Sequence, residues 1–577
     1  MKLLWGPLPI YAPIDPPHQV VEFGESGLPY QIGETWNDIF QRLPGGFYPD
    51  AVVWRYPDSN PWPIHHDCPA PLVAILNDWS LYFSAFREAL DRCDYLVTDK
   101  LGLERLRSIG ISHASYWPGY GLYPEVFYRV PDRTHLCDIA FVGNHNHDIH
   151  RARAQILARI GKLGDRYRVA IRTGIWGNEY AELLRQSRIV VNYSVRREMN
   201  LRGYETPACG ALLFMEASNL EVRDFLIEGR ECVLYREDNI EELLHHYLEN
   251  EPLRARIAEA GWRRIQSETF KAHVASLVTH LESLDWGKLR GRPRRWPHLK
   301  EAERFYLYGR WLACAGPKVH LGHDELVKAV KADPTEPEHW NAVAVAEAIA
   351  AAKIPDSAER TRVFNAYAER HWLKLVELCP GHLLGWANLG FARLEFGLRE
   401  TGVEALRRAL DLLSSNPEQM VFREGCCFFV DSSQENKTDF NIFRVEWERL
   451  VSTCASDPVR LSYELTVLLR WQCARRLGDA LLGLGRAEEA KDLYARAIAA
   501  RRELEYAYAG LGRALEQIGQ TALACAAYQE ALERQPWDLA VRRRLVGLLN
   551  ALGDSFGAAI ASHELALLEK ALRPPSY

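Results

Sequence analysis

The last third of the 577-residue chain repeats itself every 34 residues, and this period constrains the fold more than any other feature. Residues recur at this interval in the pairs Gly478 and Gly512, Ala490 and Ala524, Tyr494 and Tyr528, and Ala497 and Ala531. Small residues at a fixed step are expected where the two helices of one unit cross closely. An unrelated helical bundle would not keep four positions in step. The sequence therefore predicts stacked helix pairs over residues 461–572.

Earlier segments carry weaker copies of this unit. The segment Trp386-Ala387-Asn388-Leu389-Gly390, followed by Ala409 and Pro417, resembles the start of a tetratricopeptide repeat. Related units begin at Trp340 and near Phe305. We predict degenerate tetratricopeptide repeats over residues 301–417 and an insertion over residues 418–460, where no repeat fits. Stacked repeats of this kind form a superhelix, and we expect its concave face to bind a protein partner.

The first 285 residues follow a different pattern, in which short apolar runs alternate with segments of helical period. The runs are residues 51–54, 72–76, 95–97, 139–142, 167–171, 189–191, 211–214 and 232–234. Continuous apolar runs are typical of strands that are buried on both faces of a parallel sheet. Their alternation with helices predicts an α/β fold. The fold class predicted for the whole chain is α/β followed by all-α.

The strands are too many for one small sheet, and residues 116–131 interrupt them with little regular period. We predict two doubly wound, Rossmann-like domains, over residues 1–130 and 131–286, that face each other. A ligand cleft is expected between the carboxyl ends of their strands. Residues 287–300 form a basic linker with Lys288, Arg290, Arg292, Arg294 and Arg295. Such a segment could bind phosphate, but its Pro and Gly residues favour a solvated connector.

Composition excludes several classes of function. Lys and Arg number 70 against 76 Asp and Glu, a formal net charge of −6, so no global positive field draws nucleic acid. No run of about 18 apolar residues predicts a membrane span. Pro7 and Pro9 interrupt the apolar start of the chain before a signal-peptide core could form. The 12 Cys residues form no C-x-x-C pair, which favours a reduced, cytoplasmic setting.

One segment resembles the donor-site signature of the spore-maturation CgeB-like group, within the group 1 glycosyltransferases of the GT-B fold. The segment is Asn200-Leu201-Arg202-Gly203-Tyr204-Glu205-Thr206-Pro207-Ala208-Cys209-Gly210. Further pieces follow in the family's order at residues 49–53, 93–98, 117–124 and 138–144, so the resemblance covers roughly residues 40–285. It implies two facing Rossmann-like domains, an acceptor domain over 1–130 and a donor domain over 131–286. It also implies a retaining transfer of sugar from a nucleotide-diphosphate donor, most simply a UDP-sugar.

The centre of the expected site is a helix that begins near residues 202–204, because Pro207 is tolerable only in a first helical turn. Helix N-termini bind phosphate through free amides and the helix dipole. Arg202, a fork-shaped donor, is expected to hold the diphosphate and stabilise the departing charge. Glu205 would accept hydrogen bonds from the ribose, although it could merely complement the helix dipole. Asn200 and Tyr204 complete this segment of the predicted donor site.

Other expected donor-site residues follow buried strands. Gly143 would let a backbone amide approach the phosphate, with Asn144 beside it and Arg151 in the next helix. Trp176 would stack on the base or pack at the rim of the site. Asn192 and Ser194 end the strand at residues 189–191, so we expect them to line the cleft.

Asp78 follows the strand at residues 72–76 and is the expected catalytic base toward an acceptor hydroxyl, or else the cap of the next helix. The sequence departs from the wider superfamily eight positions before Glu205, where Arg197 replaces a second Glu and Glu198 is one step late. The chain contains no D-x-D tripeptide. Neutralisation of the diphosphate by Arg202 and a helix N-terminus is therefore expected to need no metal.

The sequence leaves three functions open. The first is a glycosyltransferase that modifies an acceptor hydroxyl on a glycan, or on a protein recruited by the repeats. The second is a non-catalytic repeat scaffold with a degenerate transferase domain, and the displaced Glu198 favours it. The third is a nucleotide-sugar epimerase, which would share the donor site.

Overall fold

The computed structural model describes residues 1–57, 59–131, 133–144, 146–294, 299–315, 319–415, 428–429 and 442–573. Its described strands form two parallel sheets. The strands of the first sheet are β1 (Lys2–Gly6), β2 (Gln19–Glu22), β3 (Ala51–Arg55), β4 (Leu72–Ile75), β5 (Tyr95–Thr98) and β6 (Ala114–Tyr116). Those of the second are β7 (Cys137–Val142), β8 (Val169–Arg172), β9 (Ser187–Val191), β10 (Leu212–Glu216) and β11 (Val233–Tyr235).

The described helices divide between the two sheets and the second half of the chain. Those around the sheets are α1 (Trp36–Gln41), α2 (Phe83–Phe86), α3 (Lys100–Ser108), α4 (Arg151–Lys162), α5 (Gly177–Arg185), α6 (Leu201–Ala208), α7 (Val222–Phe225), α8 (Ile240–Glu249), α9 (Glu251–Ile265), α10 (Phe270–Glu282) and α11 (Trp286–Arg290). Those of the second half are α12 (Glu301–Ala315), α13 (Val319–Ala332), α14 (Pro337–Ala352), α15 (Ser357–Ala366), α16 (Ala368–Leu378), α17 (Leu383–Glu395), α18 (Arg399–Ser415), α19 (Ile442–Cys454), α20 (Pro458–Gly483), α21 (Ala487–Ala500), α22 (Tyr506–Gln517), α23 (Thr521–Arg534), α24 (Leu539–Ala551) and α25 (Ser555–Leu572). The predicted fold class, α/β followed by all-α, is confirmed.

Strand order places a ligand crevice in each sheet. The first sheet has the order β2-β1-β3-β4-β5-β6 and the second β11-β10-β9-β7-β8. In each sheet, the second strand of the chain is added on one side of the first strand and the later strands on the other side. The order therefore reverses between β1 and β3 and between β7 and β9. Loops after the strands diverge at such a reversal and leave a crevice at the carboxyl edge of the sheet.

The two α/β units are joined by a double crossing of the chain. The chain leaves the first unit near Leu122 and returns near Phe270, and the crossings hydrogen-bond to each other. The Phe270 amide donates to the Leu122 carbonyl at 3.0 Å, and the Leu122 amide donates to the Glu268 carbonyl at 2.9 Å. After this return, α10 buries Val274 and Leu277 against the first sheet. Helix α10, at the end of the range 131–286, therefore completes the core of the first unit.

Tyrosine rings seated on glycines account for the 34-residue period. The rings of Tyr494 and Tyr528 pack against Gly478 and Gly512, where an added Cβ would press on the ring. Tyr494 and Tyr528 are fully buried apart from hydroxyls that donate to Asp479 and Glu516. Each glycine lets one helix accept the ring of its partner, so the pairs α20–α21 and α22–α23 repeat the same contact.

The helical half packs against both α/β units. At the first unit, the Trp311 indole lies 4.8 Å from the Trp62 ring centroid and its Nε1 donates to the Pro57 carbonyl at 2.9 Å. At the second, the Trp537 indole donates to the Ala154 carbonyl of α4 at 2.8 Å. The repeats therefore share a buried interface with the α/β half and are not attached to it through the linker alone.

The basic segment at residues 287–300 binds the first α/β unit where it is described. Arg290 donates to the Cys68 and Pro69 carbonyls. Arg292 donates to Asp91, and residues 295–298 lie outside the described residues. The connector is thus fixed by its arginines, because carbonyls and a carboxylate of the first unit face them.

Part of the predicted insertion, residues 418–460, also has a place in the fold. Residues 418–427 and 430–441 of this range lie outside the described residues. Residues 442–454 form α19, whose Phe443, Trp447 and Leu450 are buried in the core that the repeats share with the first unit. None of the helices in the described part of the chain is long and apolar enough to cross a membrane.

Truncation of Trp311 tests the interface between the repeats and the first unit. Trp311 is fully buried, so Trp311→Ala should lower the free energy of unfolding by about 3–5 kcal/mol. The matched control is Tyr463→Ala, at a side chain that is 65% exposed, which should change it by less than about 0.5 kcal/mol. Urea unfolding of the full chain measures both variants. Equal stability of the two variants would contradict a shared core.

Candidate functional site

A cleft of about 740 Å³ lies at the carboxyl edge of the second sheet. Its walls come from the loop after β7, the loop after β8 and the first residues of α6. The segment that crosses between the two α/β units closes it from the opposite side, through residues 120–127. The cleft therefore occupies the crevice that the order of the strands predicts.

Arg202 is fixed at the floor of this cleft by groups from two neighbouring strand ends. Its guanidinium donates to the carbonyl of Val142, the last residue of β7, and to the side-chain oxygen of Asn192, the first residue after β9. It also lies over the Phe141 ring, 4.5 Å from the centroid. Gly143 has a φ of +151°, and a Cβ there would collide with the guanidinium. The backbone conformation therefore favours glycine here, and a larger residue would displace the guanidinium from its observed position.

Glu205 lies in the same cleft, three residues further along α6. Tyr180 donates its hydroxyl to Glu205 Oε2 at 2.8 Å. Burial raises the pKa of Glu205 to about 7, while the Tyr180 hydrogen bond and the Arg202 charge pull the pKa down. Residues three apart on a helix share a face, so Arg202 and Glu205 approach one ligand side by side.

The amino end of α6 opens into the cleft beside Arg202. Asn200 is the N-cap residue, but its side chain caps no backbone amide. Within the described residues, its buried Oδ1 has no hydrogen-bond partner. The helix begins at Leu201, slightly before the expected range, so Glu205 lies in its second turn and Pro207 next to its end. An uncapped helix N-terminus beside an arginine suits a bound anion.

Aromatic side chains form much of the remaining wall. Trp176 lines the cleft and is 80% exposed. Tyr120, Tyr123 and Phe127 line it from the crossing segment, and the Phe127 ring packs on Tyr180 at 5.5 Å between centroids. These three and Tyr180 were not predicted from the sequence. For the three residues of the crossing segment, the only signal was the density of aromatic residues at 116–128.

Of the expected donor-site residues, Gly143, Asn144, Trp176, Asn200, Arg202 and Glu205 line the cleft. Two others support it from behind. Asn192 is fully buried and acts on the cleft through its hydrogen bond to Arg202. Ser194 is buried against Glu216, whose pKa is raised to about 7 by burial. Asn192 is covered by Met215 and Arg202, and Ser194 by Glu216 and Asn219.

Tyr204 and Arg151 do not line the cleft. Tyr204 points into the core of the second unit, with its ring 5.3 Å from that of Phe225. Arg151, the first residue of α4, points toward the helical half and donates to Glu446 Oε1 at 3.1 Å. The reason is geometric, since residue 204 lies on the inner face of α6 and residue 151 on the outer face of α4.

Asp78 joins the two α/β units and does not cap a helix. Its carboxylate accepts a hydrogen bond from Arg196 at 2.7 Å, and no backbone amide uses it as a cap. Arg196 is fully buried in the second unit and also donates to Asp99 at 3.0 Å. The negative charge of Glu198 helps to raise the pKa of Arg196, against the effect of burial. Asp78 does not line the cleft, but its neighbour Tyr120 does. Burial raises the pKa of Tyr120, and the negative charge of Asp78 raises this pKa further.

Two family models match parts of the chain. Residues 138–278 match the family described as glycosyl transferase-like. Residues 476–504 and 506–536 match the tetratricopeptide repeat. The chain thus contains a glycosyltransferase-like domain, which holds α6 and most of the cleft, and tetratricopeptide repeats. No curated protein matches the chain.

Several solved structures align with part of the chain. MamA from Desulfovibrio magneticus RS-1 is 15% identical, and the alignment covers 40% of this chain and 98% of MamA at a TM-score of 0.26. TarM is 10% identical over 40% of this chain and 55% of TarM, at a TM-score of 0.31. The hetero-tetramer Cut9–Hcn1 is 15% identical over 48% of this chain and 44% of the other, at a TM-score of 0.29.

The raised pKa of Glu205 predicts a pH-dependent stability. Between its ordinary value of 4.5 and the folded value of about 7, the folded chain keeps the proton that the unfolded chain loses. The free energy of unfolding should therefore fall as pH rises through this window, by at most about 3 kcal/mol from this group. Glu205→Gln still accepts from Tyr180 and cannot ionise, so its Tm should fall less than that of the wild type between pH 5 and pH 8.

Melting curves of the full chain at each pH measure this difference. Glu104→Gln, on the exposed face of α3, is the control and should follow the wild type. Parallel curves for wild type and Glu205→Gln would show that the carboxyl is not held in a site that excludes water.

Proposed function

We propose that the chain is a metal-independent glycosyltransferase of the GT-B arrangement, related to the CgeB-like group, that takes a nucleotide-diphosphate sugar as its donor. The observation that carries the proposal is that Arg202 and Glu205 line one cleft at the crevice of the second sheet. The match of residues 138–278 to a glycosyltransferase-like family supports it.

The diphosphate would lie between Arg202 and the amino end of α6. As the bond between sugar and diphosphate breaks, negative charge develops on the leaving phosphate. A guanidinium that is already fixed by Val142 and Asn192 can stabilise that charge without first reorganising. The uncapped backbone amides at the start of α6 provide further hydrogen-bond donors at the same point.

The nucleoside would lie on the far side of Arg202. Glu205, held by Tyr180, would accept hydrogen bonds from the two ribose hydroxyls. The exposed indole of Trp176 offers a flat apolar face against which a base can stack. A UDP-sugar is the first donor to test.

The acceptor would enter from the first α/β unit, on the side where Tyr120 and Tyr123 line the cleft. Asp78 is the proposed base toward its hydroxyl. In the present arrangement Asp78 is paired with Arg196, but its side chain remains 45% exposed. A shift between the two units would free one carboxylate oxygen, as closure of lids and domains does in many enzymes. The acceptor is proposed to be a glycan, or a protein held by the repeats.

Loss of Arg202 tests the donor site most simply. Nucleotide sugars and free UDP should raise the Tm of the wild type, because a ligand that binds only the folded state stabilises it. Arg202→Ala should weaken UDP binding roughly 10- to 100-fold, as expected for a lost charge-assisted hydrogen bond. Glu205→Ala should weaken the binding of UDP to a similar degree.

Isothermal titration of the full chain measures these affinities. Arg230→Ala removes an exposed arginine of the same domain and should leave UDP affinity unchanged. Equal affinity in the wild type and Arg202→Ala would contradict the proposed site. Donor bound but never consumed would favour the scaffold, and an epimerised donor recovered from the reaction would favour the epimerase.

A further inference from the structure

The loop between β7 and α4 forms one wall of the cleft and is held from outside its own domain. Gly143 and Asn144, at its start, line the cleft. Within the domain, Arg153 donates to the Asn144 carbonyl at 2.8 Å. The rest of the loop, described for residues 146–150, turns away from the cleft toward the helical half.

The first residues of α22 hold this loop through buried polar contacts. Tyr506 donates its hydroxyl to Asp148 Oδ1 at 2.6 Å. Next to it, Glu505 Oε1 lies 3.1 Å from His147 Nε2. Asp148, His147 and Glu505 are all more than nine-tenths buried. The contact is therefore sealed from water between the loop and the second matched repeat.

Helix α19 adds a second hold and reaches the other α/β unit as well. Its Glu446 accepts from Arg151 at 3.1 Å, at the point where the loop becomes α4. Two residues further along, on the opposite side of the same helix, Glu448 accepts from the Ser84 amide at 2.8 Å and from its hydroxyl at 2.7 Å. Glu448 is buried and Ser84 belongs to the first unit. One helix thus contacts both α/β units.

These contacts are costly to break singly. Burial raises the pKa of Asp148, the neighbouring Glu505 raises it further, and the Tyr506 hydroxyl opposes the rise. A buried carboxylate that loses its donor keeps the cost of desolvation without its compensation. The observed path of the loop therefore depends on the hydrogen bond that Tyr506 donates and on the one that Glu446 accepts.

We propose that Tyr506, Glu505 and Glu446 are positioning residues for the donor: the repeats hold the β7–α4 loop in the shape that the diphosphate side of the cleft requires. This inference rests on the proposed function, because it names the cleft as the donor site. Simple docking of repeats onto the α/β half would give stability alone. If the repeats also position the loop, the affinity for nucleotide depends on residues that do not contact the nucleotide.

Hydrogen exchange tests the hold on the loop without any ligand. In the full chain, Tyr506→Phe removes one hydroxyl, and amides within residues 146–154 should exchange roughly 2- to 10-fold faster. The matched control is Tyr528→Phe, which loses an equivalent 2.7 Å hydrogen bond to Glu516 inside the repeats. It should leave that exchange unchanged. Unchanged exchange in both Tyr506→Phe and Glu505→Gln would overturn the inference.

Titration with UDP then tests the consequence for the site. Tyr506→Phe and Glu446→Gln should bind UDP roughly 2- to 10-fold more weakly than the wild type, and Tyr528→Phe should bind it equally well. Wild-type affinity in both variants, with UDP still bound by the wild type, would overturn the inference and leave the proposed function standing. Absence of UDP binding by the wild type would overturn the proposed function itself.

Discussion

Arg202 holds its observed position at the floor of the cleft beside a strand end that carries no side chain. Gly143 leaves the space that the guanidinium fills, and the Val142 carbonyl and Asn192 side chain fix its direction. The crevice at the reversal of strand order supplies the room, and α6 supplies an open amino end and places Glu205 on the same face. The proposed chemistry needs little more than this, since a fixed positive charge and a carboxylate at a set separation define where a nucleotide diphosphate would lie.

The repeats are part of the same construction. They make aromatic and polar contacts with both units, and α19 reaches both. A superhelix tethered by a flexible linker would move independently of the α/β half. In this structure, a change in the curvature of the repeats would move the loop after β7 and alter the distance between the two units.

The sequence predicted the interior of this molecule better than its periphery. Strands buried on both faces were visible as apolar runs, whereas β2 and β6, at the two edges of the first sheet, carry no such run and were missed. Gly143, Arg202 and Glu205 could be placed in the cleft because they fall at positions set by local geometry, whereas Tyr204 and Asn192 are buried instead. Tyr180 and Tyr123 could not, since only tertiary packing brings them to the cleft. Arg151 was placed on the wrong side of its loop because nothing in the sequence shows that Glu446 lies opposite it.

The most direct measurement is a crystal structure of the full chain with UDP. The account predicts density in the cleft between the β7 loop and residues 120–127, with phosphate oxygens within hydrogen-bonding distance of the Arg202 guanidinium and the ribose hydroxyls on Glu205. Nucleotide bound elsewhere on the chain, or a pose in which the ribose and diphosphate avoid both side chains, would contradict it.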